Sequence, residues 1–177
     1  METLAENYLL SIKKQFHYYK SVGDKAIARV REEQMHWSYN TDSNSIAVII
    51  KHIAGNSISR WTDFLNSDGE KPSRNRDDEF EETAASKEEL LMLWNKGWDC
   101  LFNAINPLTE DDLMRTIYIR NEAHTVMEAI NRQFAHLPYH IGQIVYIAKM
   151  VTAADWQSLT IPKGKSKEFN AGMRKSS

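Results

Sequence analysis

Two histidines four residues apart, His136 and His140, are the residues of this sequence whose type and spacing most directly suggest chemistry. They lie in the segment RQFAHLPYHIGQIVYI, residues 132–147, whose apolar residues follow helical spacing. On a helix, residues i and i+4 lie one above the other, so both imidazoles can point in one direction. Such a pair can bind zinc, nickel, copper or iron. Taken alone, the spacing favours a plainer interpretation, two partly buried histidines hydrogen-bonded to their neighbours.

Pro138 stands between these two histidines, at a position that a helix interior normally rejects. Proline lacks the amide hydrogen that would bond to the carbonyl of Phe134, and inside a helix it costs about 3 kcal/mol. The helix therefore either bends here or starts again. A bend is favoured because helical spacing of apolar residues continues on both sides, at Val126, Ile130, Phe134, Leu137, Ile141, Ile144 and Ala148.

A two-histidine site is incomplete, so a further ligand must come from a distant segment. His52, in IIKHIAGN, borders a row of isoleucines on another predicted helix, which would turn its ring toward the protein interior. Gly55 and Asn56 would leave space beside that ring. Ordinary surface or packing roles fit the remaining three histidines better; these are His17, His36 and His124.

Four segments with helical periodicity are long enough to position these side chains. They span about residues 4–30, 45–65, 86–106 and 125–151. The first apolar row begins at Leu4, and the third and fourth segments open with capping-box patterns, Ser86 with Glu89 and Thr125 with Glu128. Amphipathic helices of this kind bury their apolar faces against one another. The sequence therefore predicts a single all-α domain over residues 1–177, with a four-helix bundle over 3–153 and an irregular segment over 154–177.

Two connections between these helices are informative. Residues 66–86 are long and charged, and we expect them to cross the end or side of the bundle, as functional or mobile loops do. Residues 109–115 read as a short helical turn. The alternation over residues 116–120, followed by the turn-forming Asn121 and Glu122, predicts a short β-strand or hairpin before the last long helix.

Composition excludes several classes of protein. A formal charge of -2 and a pI near 6.3 give no basic face for nucleic acid. No apolar run approaches the roughly 20 residues that span a bilayer, and the N-terminus is a poor signal peptide. The single cysteine, Cys100, cannot form an intrachain disulfide, and its aromatic neighbours favour inert burial. We therefore expect a cytoplasmic protein that binds neither nucleic acid nor membranes.

With these residues in view, the chain resembles the DinB/YfiT-like family of four-helix bundles. The matching features are the histidine of KHIAGN, His52, and the pair in AHLPYHIGQIVY, His136 and His140, which GQI follows. The resemblance covers residues 3 to 153. The segments RNRDDEF, YIRNEAHTV and WQSLTIPKGKSKEF are typical of one uncharacterised branch.

This resemblance implies an up-down-down-up bundle in which His52, His136 and His140 hold a divalent metal near one end of the core. The metal would be zinc or nickel, with iron or manganese as alternatives. Some relatives are S-transferases or isomerases that use low-molecular-weight thiols (mycothiol, bacillithiol or glutathione), many have no established reaction, and homodimers are common. The resemblance does not decide whether this chain is an enzyme.

Further residues are candidates for positioning a ligand histidine or a substrate. Asn56 and Gln143 could orient a ligand histidine or a coordinated water, or could simply make core hydrogen bonds. Arg74, Arg76 and Arg120 could bind a carboxylate or sugar hydroxyls of a thiol cosubstrate. Pairing on the surface with Asp77, Asp78, Glu79 and Glu122 is the plainer role for these arginines.

Three hypotheses for function follow. The first is a metal-dependent enzyme that activates a low-molecular-weight thiol or water for attack on a small electrophile, in the manner of a thiol S-transferase. The second is a metal-binding or stress-related protein without catalysis. The third, a metal-free helical module that dimerises through its apolar faces, is disfavoured because His52, His136 and His140 would each need a separate explanation.

Overall fold

The computed structural model of the protein describes residues 2–173. Over this range it contains five α-helices and one antiparallel two-stranded sheet. The helices are α1 (Leu4–Ala28), α2 (Ile46–Trp61), α3 (Lys87–Ile105), α4 (Val126–Thr152) and α5 (Ser166–Met173), and the strands are β1 (Thr116–Ile119) and β2 (Glu122–Thr125). The predicted all-α bundle with a hairpin before its last long helix is confirmed.

Side-chain caps fix where the long helices begin. The Oγ of Ser86 accepts a hydrogen bond from the amide of Glu89, whose carboxylate in turn accepts from the amide of Ser86. Thr125 and Glu128 form the same reciprocal pair at the start of α4. Both predicted capping boxes are therefore present, and each satisfies two amides that the first turn of a helix leaves unpaired.

The bundle core forms where α1 packs on α4 and α2 packs on α3, with α2 also contacting α4. Gly97 of α3 permits the approach to α2, since a Cβ built there would lie 2.7 Å from the Cα of Ala54. The prediction that Leu4 belongs to the buried row is wrong. Leu4 is 89% exposed because it occupies the first turn of α1, beyond the end of the core.

Pro138 does not divide the last long helix, because α4 is continuous from Val126 to Thr152. A restart at this position is therefore excluded. The apolar spacing on both sides of Pro138 places Leu137, Ile141 and Ile144 in the core. Burial of this face holds the helix together across the missing hydrogen bond.

The connection between α2 and α3 is fastened to the hairpin. In the two-residue turn of the hairpin, Arg120 and Asn121 have φ of 56° and 62°, as a tight turn between twisted strands requires. Both amides of this turn donate to the carboxylate of Asp68, at 2.8 and 2.7 Å. The amide of Gly69 donates to the carbonyl of Tyr118 at 2.8 Å. The charged connection is thus held over the end of α2.

The segment after α4 is only partly irregular. Where the sequence predicts no regular structure, residues 166–173 form the exposed helix α5. An ion pair between Lys165 and Glu168 closes its first turn, so this helix depends on local contacts rather than on burial. Residues 174–177 of the predicted irregular segment, and residue 1, lie outside the described range. Within residues 2–173, none of the helices has the length and apolarity that crossing a membrane requires.

Candidate metal centre

Helices α2 and α4 bring three imidazoles to one point. The Nε2 atom of His136 lies 3.0 Å from Nε2 of His52 and 3.1 Å from Nε2 of His140. His52 and His140 are buried, and His136 is half-buried. The histidines that the sequence singled out from two distant helices therefore form one cluster, whose ligand atoms all lie within 4.8 Å of one another.

The opposite nitrogens of two of these rings have hydrogen-bond acceptors. Nδ1 of His52 lies 3.0 Å from Oε2 of Glu79, and Nδ1 of His140 lies 2.9 Å from Oε1 of Gln143. An acceptor at Nδ1 places the ring proton there, so each Nε2 presents a lone pair to the centre of the cluster.

This arrangement of protons suits a cation bound between the three Nε2 atoms better than it suits hydrogen bonds among them. With His52 and His140 protonated at Nδ1, only the Nε2 of His136 can supply a hydrogen, and one hydrogen cannot satisfy two lone pairs well. Zinc–nitrogen bonds of about 2.0–2.1 Å in a tetrahedral site separate the nitrogens by roughly 3.3–3.4 Å. The observed separations of 3.0 and 3.1 Å are a few tenths of an ångström from that value. The three imidazoles are therefore compatible with a divalent metal.

The electrostatic surroundings keep these groups in the protonation states that metal binding needs. The pKa of His136 is lowered to about 3, chiefly by burial and also by the neighbouring His140 and His52. Burial also lowers the pKa of His140, against the opposing effect of its bond to Gln143. For Glu79, burial alone would raise the pKa, but hydrogen bonds from Arg74 and His52 outweigh it and the net pKa is lowered. His136 and His140 are thus neutral, and Glu79 is an anion.

Glu79 reaches His52 from the connection between α2 and α3. Its two oxygens accept hydrogen bonds from Nε and Nη2 of Arg74 at 2.7 and 2.8 Å. Gly55 makes room for it, since a Cβ built there would lie 2.8 Å from the Cδ of Glu79. The ring of Phe80, the next residue, packs on the ring of His52 at 4.7 Å. The connection therefore supplies both the polar support and an apolar cover for this histidine.

The cluster opens into a cleft of about 500 Å³. Besides the three histidines, the cleft is lined by Asn56, Arg60, Arg74, Arg76, Phe80, Arg120, Arg132, Gln133, Ala135 and Tyr139. All three predicted arginines are present. Arg74 is buried against Glu79, Arg120 bonds Glu70 at 3.1 Å, and Arg76 stacks over the ring of Phe80 at 5.4 Å. Arg74 pairs with Glu79, one of the partners expected for it, but this pair is buried beside His52 and does not lie on the surface.

The two amide side chains behave differently from one another. Gln143 contacts a histidine of the cluster, as predicted. Asn56 lines the cleft without such a contact, and its Oδ1 is buried with no hydrogen-bond partner among residues 2–173.

Four further residues support or line this site and were not predicted from the sequence to belong to it: Glu79, Arg60, Arg132 and Gln133. Glu79 lies in a loop whose path no periodicity determines, and a glycine inside a helix, Gly55, was the one hint of a close approach. For the arginines a signal existed. Arg60 follows His52 by two i+4 steps, and Arg132 precedes His136 by one, so each shares a helix face with a histidine.

The remaining histidines and the cysteine lie elsewhere. His17 stacks on Phe102 at 4.1 Å, His36 contacts the carbonyl of Ala85, and His124 belongs to β2. These are the packing and surface roles expected of them. Cys100 is half-buried and lines a separate, larger groove of about 900 Å³, so it supplies no thiol to the cluster.

Comparison with known proteins identifies a family but no characterised relative. No curated protein has significant similarity to this sequence. A family described as "Protein of unknown function (DUF1572)" matches residues 3–165. Since this match spans nearly the whole chain, the protein belongs to the DUF1572 family of unknown function.

Proposed function

We propose that His52, His136 and His140 hold one divalent metal ion, and that the chain is a metal-dependent enzyme of DinB/YfiT-like type. Its substrate would be a small electrophile, and its nucleophile a low-molecular-weight thiol or water. The observation that supports this proposal best is the convergence of three Nε2 atoms at 3.0 and 3.1 Å. Two of these imidazoles, those of His52 and His140, are also held by a hydrogen bond at Nδ1, on the side away from the cluster.

The donor set defines the chemistry that a metal would supply. When bound, a divalent ion acts as a Lewis acid that lowers the pKa of a thiol or a water molecule toward neutrality. Three protein ligands, rather than four, are typical of catalytic sites, because they leave room for an exogenous ligand. Imidazole nitrogen suits zinc or nickel, with iron as an alternative, whereas manganese prefers oxygen ligands and fits this donor set less well.

The remaining residues of the site orient and shield the ligands. Glu79 holds the ring of His52 and increases its basicity, and Arg74 fixes Glu79 in turn. Phe80 covers His52, and the ring of Tyr139 lies 5.0 Å from that of His140 at the mouth of the cleft. Each of these aromatic rings therefore contacts one of the proposed ligand imidazoles.

In the thiol reaction the protein would promote a simple substitution. The thiol releases its proton to solvent, its sulfur forms a bond to an electrophilic carbon, and the leaving group departs with the bonding electron pair. A cleft of about 500 Å³ has room for small reactants.

Metal binding is the first test of this proposal. Protein treated with EDTA should bind one equivalent of zinc or nickel in a calorimetric titration, and the His136→Asn variant should bind at least a hundredfold more weakly. Gly142→Ala is the matched control, since a Cβ built at Gly142 meets no atom within 4 Å. A wild-type protein that takes up neither metal would overturn the proposal.

Catalysis is the second test. Metal-loaded protein should accelerate the reaction of a low-molecular-weight thiol with monochlorobimane, which releases chloride and gives a fluorescent thioether. The His140→Ala variant should lose this activity while retaining the circular dichroism spectrum of the wild type. A panel of thiols, with hydrolysis of the electrophile measured in their absence, distinguishes a thiol from water as the nucleophile.

A metal-binding role without catalysis is the second candidate. The cluster joins His52 to His136, 84 residues apart in the chain, so a bound ion would also stabilise the bundle as a cross-link. Stoichiometric metal with a large increase in melting temperature, but no turnover with any thiol or with water, would favour this role. We also expect a homodimer, which analytical ultracentrifugation of the metal-loaded protein would detect.

A further inference from the structure

Two rows of side chains line the cleft, one on each of the helices that carry the histidines. The row on α2 is His52, Asn56 and Arg60, and the row on α4 is Arg132, His136 and His140. Spacing of i, i+4 and i+8 places each row along one helix face. The histidines of both rows meet at one end of the cleft, so the arginines lie toward the other.

Among the residues that the structure describes, Arg60 is a buried cation without a carboxylate partner. It is 7% exposed, and its Nε is buried with no hydrogen-bond partner within residues 2–173. Arg74 shows the usual alternative, since it is also buried but bonds Glu79 through two nitrogens. Glu79 and Glu70, the acidic residues that pair with arginines of this cleft, bond Arg74 and Arg120 and not Arg60. A buried guanidinium without an ion-pair partner is costly.

The surroundings of Arg60 increase this cost rather than relieve it. The pKa of Arg60 is lowered to about 10, chiefly by burial and also by the positive charge of Arg132, while Glu70 opposes both. Arg60 is nevertheless charged at neutral pH. Arg74 and Arg120 are paired with Glu79 and Glu70, whereas within residues 2–173 no such ion pair involves Arg60 or Arg132. The end of the cleft that holds Arg60 and Arg132 is therefore positive.

The fold holds the Arg60 side chain in place. It passes Gly69, where a Cβ would lie 2.8 Å from the Cδ of Arg60, and Gly69 is fixed by its hydrogen bond to Tyr118 in β1. Nearby in the lining, Gln133 is 4% exposed, and its side-chain amide nitrogen has no hydrogen-bond partner within residues 2–173. Two buried donors in one cleft thus lack acceptors.

We infer that Arg60 and Arg132 form an anion subsite, which binds a carboxylate or phosphate group. Guanidinium groups suit both anions, because their N–H donors match paired oxygens. Arg60 and His52 are separated by eight residues, about 12 Å along a helix. A small anionic molecule could therefore bind with its charged group at the arginines and its other end at the histidines. That this molecule is the substrate rests on the proposed function, whereas the anion subsite itself does not.

Anion binding to metal-free protein tests the inference separately from the metal site. EDTA-treated wild type is titrated calorimetrically with phosphate, and separately with malonate, at an ionic strength held constant with sodium chloride. At least one anion should bind with a millimolar or lower Kd, and the tighter one identifies the preferred group. The exposed variant Arg132→Gln should bind at least tenfold more weakly. Arg115→Gln removes the same charge from an exposed residue outside the cleft and should bind as the wild type does.

Arg60 itself is tested by thermal denaturation in anion-free buffer and in saturating anion. Without the anion, the Arg60→Met variant should have a melting temperature at or above that of the wild type, since an unpaired buried charge is removed. Saturating anion should raise the melting temperature of the wild type but not that of this variant. The inference is overturned if neither anion binds the wild type, if Arg115→Gln weakens binding as much as Arg132→Gln, or if Arg60→Met retains the full increase. Zinc titration of Arg132→Gln separates the proposals. The variant should bind zinc as the wild type does. In the wild type, zinc binding without anion binding refutes the subsite alone, and anion binding without zinc binding refutes the proposed metal centre alone.

Discussion

Glu79 contacts His52 through a buried hydrogen bond of 3.0 Å, and its carboxylate is held from the other side by Arg74. The three residues form a line from a charged loop to the centre of the bundle. Because Glu79 is 7% exposed, water cannot replace either of its partners. The orientation and basicity of one candidate metal ligand therefore depend on a loop residue.

The Glu79→Gln variant should bind zinc about 10–100-fold more weakly than the wild type. An amide oxygen can still accept from Nδ1 of His52, but the negative charge that increases ring basicity is lost, and Arg74 is left buried without its main counter-ion. Competition with a chromophoric zinc chelator measures the affinity. Glu81→Gln, an exposed change two residues along the chain, is the control. Equal zinc affinities for the two variants would contradict this account.

The Gly55→Ala variant should reproduce much of the Glu79→Gln effect without changing any charge. The added methyl group would lie 2.8 Å from the Cδ of Glu79, so the carboxylate must move away from His52. At an exposed position within a helix, replacement of glycine by alanine normally stabilises the folded protein by about 0.5–1 kcal/mol. Gly142→Ala should behave in that way, since it meets open space on α4. Gly55→Ala should therefore lower both the zinc affinity and the free energy of unfolding in urea, whereas Gly142→Ala should leave the zinc affinity unchanged and raise the free energy of unfolding.

The parts of the fold that depend on local sequence were predictable. Ser86 with Glu89, and Thr125 with Glu128, mark helix starts through bonds between residues three apart. His136 and His140 share a face because helix geometry places them there. The isoleucine row beside His52 marked it as an inward-facing candidate, but its convergence with the pair on α4 was implied by the family resemblance, since the packing of α2 on α4 is a tertiary property.

The support of the site could not be predicted in the same way. Glu79 lies in a loop, and its burial follows from a path fixed by contacts with the hairpin, such as those of Asp68 with Arg120 and Asn121. Among three neighbouring acidic residues, nothing in the sequence marks Glu79 as the buried one. For Arg60 the position was predictable and the burial was not. Its place on the same helix face as His52 follows from the sequence, but charged residues near helix ends are usually exposed.

Gln143 offers a comparison with Glu79, because it makes the equivalent contact to His140 at 2.9 Å but is half-buried. The Gln143→Leu variant should weaken zinc binding by about tenfold, at the low end of such effects, since water can reach the vacated position. The Gln143→Glu variant should bind zinc at least as tightly as the wild type, because it places a carboxylate beside Nδ1 of His140. Zinc competition assays on the two variants test this order. Tighter binding by the leucine variant than by the glutamate variant would show that Nδ1 of His140 needs no acceptor.

The metal-free protein should lose stability on mild acidification because of the low pKa of His136. Burial holds this pKa at about 3 in the folded state, against an ordinary value of 6.5. Above pH 6.5 the ring is neutral in both states and contributes no pH dependence. Between pH 6.5 and 3 only the unfolded chain binds the proton, so the free energy of unfolding falls by up to about 1.4 kcal/mol per pH unit. The His136→Asn variant lacks this group, and its stability should decline less between pH 7 and pH 4.5. Urea unfolding in EDTA at several pH values measures both slopes, and parallel slopes would show that His136 is not held neutral by the fold.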